Sequence, residues 1–371
     1  MTPFSLYEKT SAYGGVYVLF MVNRLQMLYL ILIMPTYLVH PYMIWGIVAM
    51  GIFSQINLMM LSRWFASDYS AKGYQGFVQL FGERMVRFFA FAGLFLIVLK
   101  VTVITLGYLE IIHQFIFPSM NANWLILFIL LASWYVAAQG MEKTIRFVVI
   151  AFLMMFWVIF LFFPFFLPPI AKLHHIYPLI PAEVSMHSWK ALLFVWSSLS
   201  GPEYLICLAP WLSRQQKMLK YLTLGNAISV VEYLLLFIAS LLFFGSDYLT
   251  KIKFPVVHMI RYLQSPVLER MDQILILLHL FPLVLIISIL LLYFHGAIRI
   301  IVGKPHEPTT RMGLMASWIA ILVCLIVVNE WFWQTGAEQN LWLDLQIWLG
   351  AFTFLLVPAV LQVAIKLKGR V

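Results

Sequence analysis

Apolar runs of 18 or more residues recur along the whole chain. Each is long enough to cross a hydrocarbon core about 30 Å thick as a helix. The runs are continuously apolar rather than alternating, which argues against β-barrel spans and for a helical bundle. Composition agrees: 11% of the residues are charged and 63% are hydrophobic. A soluble domain carries roughly 25% charged residues to hydrate its surface. The outer surface of this chain must therefore meet lipid.

The runs predict ten spans, at 12–34, 42–62, 88–117, 123–139, 145–167, 189–209, 220–245, 271–297, 312–329 and 341–365. The fold class expected is an all-α polytopic membrane protein. Loop charges give an independent test. With both termini on the cytoplasmic side, the inner segments hold sixteen Lys and Arg, among them Arg63, Arg84, Arg146, Arg214, Lys217, Lys304 and Arg370. The outer loops hold six: Lys172, Lys190, Lys251, Lys253, Arg261 and Arg270. That asymmetry is the positive-inside pattern, and an error of one span would scramble it. It also accounts for the net charge of +9 without nucleic acid as a partner.

The expected organisation is one integral membrane domain over 1–371, in two halves of five spans at about 12–167 and 189–365. An odd number of spans per half inverts the second half relative to the first. Each half carries a long amphipathic connection between its second and third spans, Arg63 to Arg87 and Ser246 to Arg270. Both read as helices lying at the membrane interface.

No catalytic constellation is present: there is no phosphate loop, no zinc spacing and no nucleophile motif. No enzyme activity and no cofactor are expected. Cys207 and Cys324 read as small packing residues. His279 and His295 lack a metal-ligand partner at helical spacing.

Polar residues inside spans are the informative ones, because each costs at least ~2.5–3.5 kcal/mol at the bilayer centre unless it faces protein or water. The sixth span contains Ser197-Ser198-Leu199-Ser200-Gly201-Pro202-Glu203. Pro202 removes a backbone donor and Gly201 loosens the helix, so either a simple kink or a true break fits. A half-helix beginning there would aim its amides at an anionic group. The first span carries Asn23, Arg24 and Gln26 near its middle. Arg24 has four readings: neutralising Glu203, receiving a ligand carboxylate, snorkelling to an interface, or forming a fixed structural pair. Two further stripes, Lys100-Gly107-Glu110-Gln114 and Gly225-Ser229-Glu232, read as bundle interior.

Several segments carry a resemblance. They are Ala137-Ala138-Gln139-Gly140-Met141-Glu142 with Arg146, Gly201-Pro202-Glu203 followed by Ala209-Pro210, and Phe254-Pro255-Val256 with Arg261 leading into Leu268-Glu269-Arg270-Met271-Asp272. That last stretch opens a span ending near a tyrosine, here Tyr293. In their order and spacing the chain resembles the B subunits of endospore germinant receptors, within the amino acid–polyamine–organocation transporter superfamily. The likeness covers essentially the whole chain. It departs in the first span, where family members usually have a glycine and this chain has Asn23-Arg24-Leu25-Gln26.

The resemblance implies a five-plus-five inverted-repeat bundle, with a ligand pocket between broken spans one and six and spans three and eight. On that basis Asn23, Arg24, Gln26, Ser200, Gly201, Pro202, Glu203 and Tyr293 are the candidate ligand-binding residues. It further implies a sensor in the inner spore membrane for a small nutrient germinant such as an amino acid, acting with A and C receptor subunits. An ion-coupled amino acid transporter, with Glu203 as the titrating group, is the alternative.

Overall fold

The computed structural model describes residues 6–26, 29–180, 186–212, 217–263, 269–333 and 340–368. Arg214, Leu268 and Arg370 lie outside the described residues. In chain order the helices are α1 (Gly15–Gln26), α2 (Leu30–Leu38), α3 (Met43–Ala66), α4 (Asp68–Ala71), α5 (Tyr74–Phe81), α6 (Glu83–Phe115), α7 (Ala122–Ala138) and α8 (Met141–Phe156). They continue as α9 (Met186–Ser198), α10 (Met218–Phe244), α11 (Ser246–Leu249), α12 (Pro255–Tyr262), α13 (Met271–Val302), α14 (Arg311–Trp331) and α15 (Leu341–Lys368). α8 runs on into a tighter 3-10 segment, Trp157–Phe166, and a second such segment, Pro202–Trp211, follows α9 after an interruption at 199–201.

The chain is an all-α polytopic membrane protein. Among the described residues, eight helices are long and apolar enough to cross a membrane, and nine if the bent pair α1 and α2 makes one crossing. The sequence predicts ten. The shortfall is α7, apolar but only 17 residues long. At 1.5 Å per residue it reaches about 26 Å, less than the hydrocarbon core.

Large apolar side chains cover the outside, and a few ionisable groups lie within an apolar core. Trp45, Phe91, Phe128 and Trp348 are exposed, while Asn23, Arg24, Lys100, Glu203 and Glu232 are buried. Cys207, expected as a packing residue, is exposed, whereas Cys324 is half-buried. Two spans form the centre. Of the apolar windows of Ser188–Trp211 and Met271–Val302, 72% is buried, against 28% for α14. α13 packs on α6, α7 and α8, and α10 packs on α1 and α3. Close approach of α10 to α1 depends on Gly225, where a Cβ would sit 2.8 Å from the Leu19 carbonyl.

The two amphipathic connections differ from each other, and only the second departs from expectation. α5 buries only Gly76 and Leu80, as an interfacial helix would. α12 instead buries Pro255, Val256, Val257, Met259 and Ile260. It is drawn into the bundle by its leading loop. There the Thr36 hydroxyl donates to Ile252 O at 2.7 Å, and Lys253 Nζ reaches Glu110 Oε1 at 2.5 Å.

One end of the bundle is tied by the extended segment Leu6–Tyr13. Leu6 N donates to Thr309 Oγ1 at 3.0 Å and Leu6 O accepts from Met141 N at 2.8 Å. Tyr7 Oη donates to Leu292 O, and Tyr13 N donates to Trp211 O. Thr10, Ser11 and Tyr13 all donate to the Glu142 carboxylate. Eight residues thus clasp α8, α13, the end of the Pro202–Trp211 segment and the loop before α14.

Candidate functional site

The site is built where two interrupted helices meet. α9 stops at Ser198, and Gly201 adopts φ +142° with ψ −41° before the Pro202–Trp211 segment begins. A side chain is strained at that φ, so glycine is required there. The position is also crowded, because a Cβ would lie 2.9 Å from Leu25 Cβ and 3.0 Å from Leu25 O. Leu25 belongs to α1, which itself ends at Gln26. The chain turns by 52° between α1 and α2. Both spans therefore break, and the breaks touch. The sequence places the first break at Asn23–Gln26, whereas α1 stays helical through Gln26 and the break follows it.

The helix ends leave backbone groups without intrahelical partners. Gln26 Nε2 donates to Leu199 O at 2.9 Å and to Asn226 Oδ1 at 3.0 Å. Tyr233 Oη donates to Gln26 O at 2.7 Å and lies 3.4 Å from Ser198 O. The Gly201 amide donates to Glu203 Oε2 at 2.6 Å. Tyr293 Oη donates to Tyr204 O at 2.7 Å, tying α13 to the segment after the break. Pro202, wholly buried, supplies no donor at this point.

Arg24 does not meet Glu203. Its guanidinium pairs with Glu232 of α10 at 3.2 Å, bonds Asn23 Oδ1 through Nε at 2.8 Å, and lies over the Phe152 ring at 5.3 Å. Asn23 completes the cluster by donating to Ser229 Oγ at 3.0 Å and Glu232 Oε2 at 2.9 Å. This is a fixed pair, held by α10 because Gly225 lets that helix close on α1. The cation whose field reaches Glu203 is Lys100 of α6. Lys100 Nζ sits 5.8 Å from the centre of the Tyr204 ring.

Among the described residues, three buried oxygens at the meeting point have no protein partner: Gln26 Oε1, Ser200 Oγ and Glu203 Oε1. Thr102 and Thr105 of α6 add two unpartnered hydroxyls. His279 Nδ1 meets Leu275 O at 3.2 Å and His295 Nδ1 meets Ser317 Oγ at 3.0 Å, while His295 Nε2 has no partner among the described residues. Two surface clefts lie elsewhere. One, of about 460 Å³, is lined by Tyr74, Gln79, Glu83 and His306. The other, of about 720 Å³, lies beside Phe243, Tyr248, His258 and Arg261. Burial and the neighbouring Arg261 hold His258 below the usual imidazole range. Among the described residues no cluster of three or more His, Cys, Asp or Glu could hold a metal ion.

The spore germination protein family matches residues 31–333. This chain belongs to that family. A curated relative, the spore germination protein GerQB of Bacillus cereus, is 24% identical over 263 residues, covering 69% of this chain and 67% of the relative. Among solved structures, the fold is similar to a manganese transporter of Eremococcus coleocola. The TM-score is 0.50 at 14% identity, over 96% of this chain and 82% of that one. Membership of the spore germination protein family fits a receptor or transport role rather than an enzymatic one.

Within this family member, the structure brings together Gln26, Ser200, Gly201, Pro202 and Glu203 at the breaks. It places Asn23 and Arg24 in the adjoining ion-pair cluster and Tyr293 one step along the Pro202–Trp211 segment. Sequence reasoning missed Tyr233 and Asn226; it placed Glu232 in the bundle interior, where it lies, but did not name Arg24 as its partner. The signal was present in α10. Asn226, Ser229 and Tyr233 recur at helical spacing in an otherwise apolar span, which points a polar stripe at one neighbour.

Proposed function

We propose that this chain is a B-type subunit of a germinant receptor, a sensor that binds a small nutrient germinant, an amino acid, where the two broken spans meet. The observation that carries the reading is the trio of unpartnered buried oxygens on Gln26, Ser200 and Glu203 at that point. A buried polar atom without a partner costs about 1–3 kcal/mol, which a ligand bringing donors offsets. Binding acts by favouring one of two bundle conformations, and only through a difference in affinity between them.

The proposal includes ten crossings, with α7 as the fourth, arranged as two inverted halves within one domain over 1–371. It places the chain in the inner spore membrane with both termini cytoplasmic. A- and C-type receptor subunits are its partners, because the connections between spans are too short to hold a signalling domain. Spores lacking the chain, complemented with wild type or Gly201→Leu, test the reading by their response to individual amino acids. Wild type is expected to restore one response and Gly201→Leu none, at equal protein levels. An intact Gly201→Leu response would sink it.

One observation favours ion-coupled transport instead. Lys100 and Glu203 are both buried near each other, yet among the described ion pairs within 4.0 Å neither finds a partner. A carboxylate held that way suits a coupling group. Uptake of labelled amino acids by proteoliposomes containing this chain alone separates the two. Gradient-driven accumulation is the transporter's result, and binding without accumulation is the sensor's.

A further inference from the structure

Broken helices in a bundle usually leave carbonyls and amides open at the break, because the turn that would satisfy them is missing. Here the chain fills them itself. On the carbonyl side, the Tyr233 hydroxyl takes Gln26 O at 2.7 Å and approaches Ser198 O at 3.4 Å, while the Gln26 amide takes Leu199 O at 2.9 Å. On the amide side, Glu203 folds back to accept from Gly201 N at 2.6 Å. The meeting point therefore carries protein-supplied donors on its carbonyls and a protein-supplied carboxylate on its amide. Tyr233 is the only one of these side chains that comes from neither broken span. Its ring is fully buried on α10, and one atom of it touches the last turn of both α1 and α9.

We propose that Tyr233 is a positioning residue that holds the two breaks together by standing in for an N–H donor of the ligand, so that ligand binding and the Tyr233 contact compete for the same carbonyls. The identity of the ligand rests on the reading given above; the lock does not. Carbonyl oxygens accept hydrogen bonds and offer none, so the competitor must bring donors. An ammonium group does so, and its trimethylated analogue does not. A ligand carboxylate then exchanges with Glu203 at the Gly201 amide, which makes a zwitterion the fitting class.

The competition has a sign that a packing role lacks. A ligand's apparent affinity is reduced by the fraction of molecules in which its site is blocked. Tyr233→Phe keeps the ring and its packing but leaves Gln26 O without a donor in the closed form. The closed form weakens by about one net hydrogen bond, so apparent affinity rises roughly three- to tenfold. Ser240→Ala is the control. Its hydroxyl is equally buried on α10 but bonds Leu236 O of the same helix at 2.7 Å, away from the breaks.

The test uses the full chain in phospholipid nanodiscs, with two readouts on wild type, Tyr233→Phe and Ser240→Ala. The first is amide hydrogen exchange over 197–201, with α14 as the internal reference. The second is the apparent Kd for each protein amino acid, and for alanine against its N,N,N-trimethyl analogue if alanine binds. Expected for Tyr233→Phe is faster exchange confined to 197–201, together with three- to tenfold tighter binding. Ser240→Ala is expected to match wild type in both. Unchanged exchange at 197–201, or exchange accelerated equally in α14, overturns the lock. Local acceleration with weaker binding overturns the competition. Local acceleration with no amino acid bound by any variant keeps the lock and sinks the amino-acid reading instead. Binding of the trimethyl analogue as tight as alanine removes the donor requirement.

Discussion

The two breaks differ in where their instructions come from. The break after α9 is written into its own residues. Gly201 takes a φ of +142° that other residues avoid, and Pro202 withdraws a donor at the next position. The break after α1 has no glycine or proline among residues 20–29. It is held from outside. Tyr233 of α10 caps Gln26 O, the Gln26 side chain reaches across to Leu199 O, and Gly107 of α6 opens room for the Tyr29 ring at 2.5 Å from where its Cβ would be. One interruption is local chemistry and the other is tertiary packing. A locally encoded break survives rearrangement of its neighbours, whereas an imposed one relaxes when they leave.

Substitutions sharpen that contrast, and the largest effect is expected next to the imposed break. Arg24→Ala leaves the buried Glu232 side chain without its cation and with the Asn23 amide still donating to it, a loss of about 3–5 kcal/mol. Thermal unfolding of the purified chain should show it, while Lys366→Ala, at an exposed position, stays within about 0.5 kcal/mol of wild type. Equal melting of the two variants would mean that the Arg24 cluster does not hold α1.

Gly201→Ala follows, at about 2–4 kcal/mol. The sum combines backbone strain with a methyl group pressed against Leu25. Its cost should persist when Arg24 is already replaced, because a local break does not depend on that cluster. A double-mutant cycle measures this, and a coupling above about 1 kcal/mol would erase the distinction between the breaks.

Gln26→Leu removes donors from Leu199 O and Asn226 Oδ1 and should cost about 1–3 kcal/mol. Spin labels on α1 and α2 should report a straighter pair if the break is imposed, and an unchanged 52° bend would show that α1 breaks by itself. Glu203→Gln is the gentlest change. The side-chain carbonyl still accepts from Gly201 N, so stability should stay within about 1 kcal/mol of wild type. The response to germinant is expected to be lost, and its survival would reduce Glu203 to a hydrogen-bond acceptor without an electrical role.

The same contrast explains what was legible in the sequence. Span positions follow from apolar length alone, and the Gly201-Pro202 break from two residue types. That Asn23, Arg24 and Gln26 are buried could be read from their place within an apolar run. Their partners could not. Arg24 had several carboxylates within spans to choose from, and the choice of Glu232 over Glu203 was made by Gly225, which governs how closely α10 lies on α1. α12 was misplaced for a related reason. An amphipathic stretch presents the same pattern whether its apolar face meets lipid or a bundle. Only the ties from Thr36 and Glu110 to its leading loop decide between them. Tyr233 escaped notice because a tyrosine in an apolar span reads as bulk, and its function resides in one oxygen atom.

The clasp formed by Leu6–Tyr13 has a consequence for how the protein is made. Leu6 N bonds Thr309, 303 positions further along the chain. At roughly 5–20 residues per second, the ribosome needs on the order of 15–60 s to deliver that partner after Leu6 emerges. Through that interval the Glu142 and Trp211 contacts can form in turn but the last tie cannot. A segment made some 303 residues before its partner is therefore among the last to be fastened, and maturation of the bundle waits on the arrival of the loop before α14.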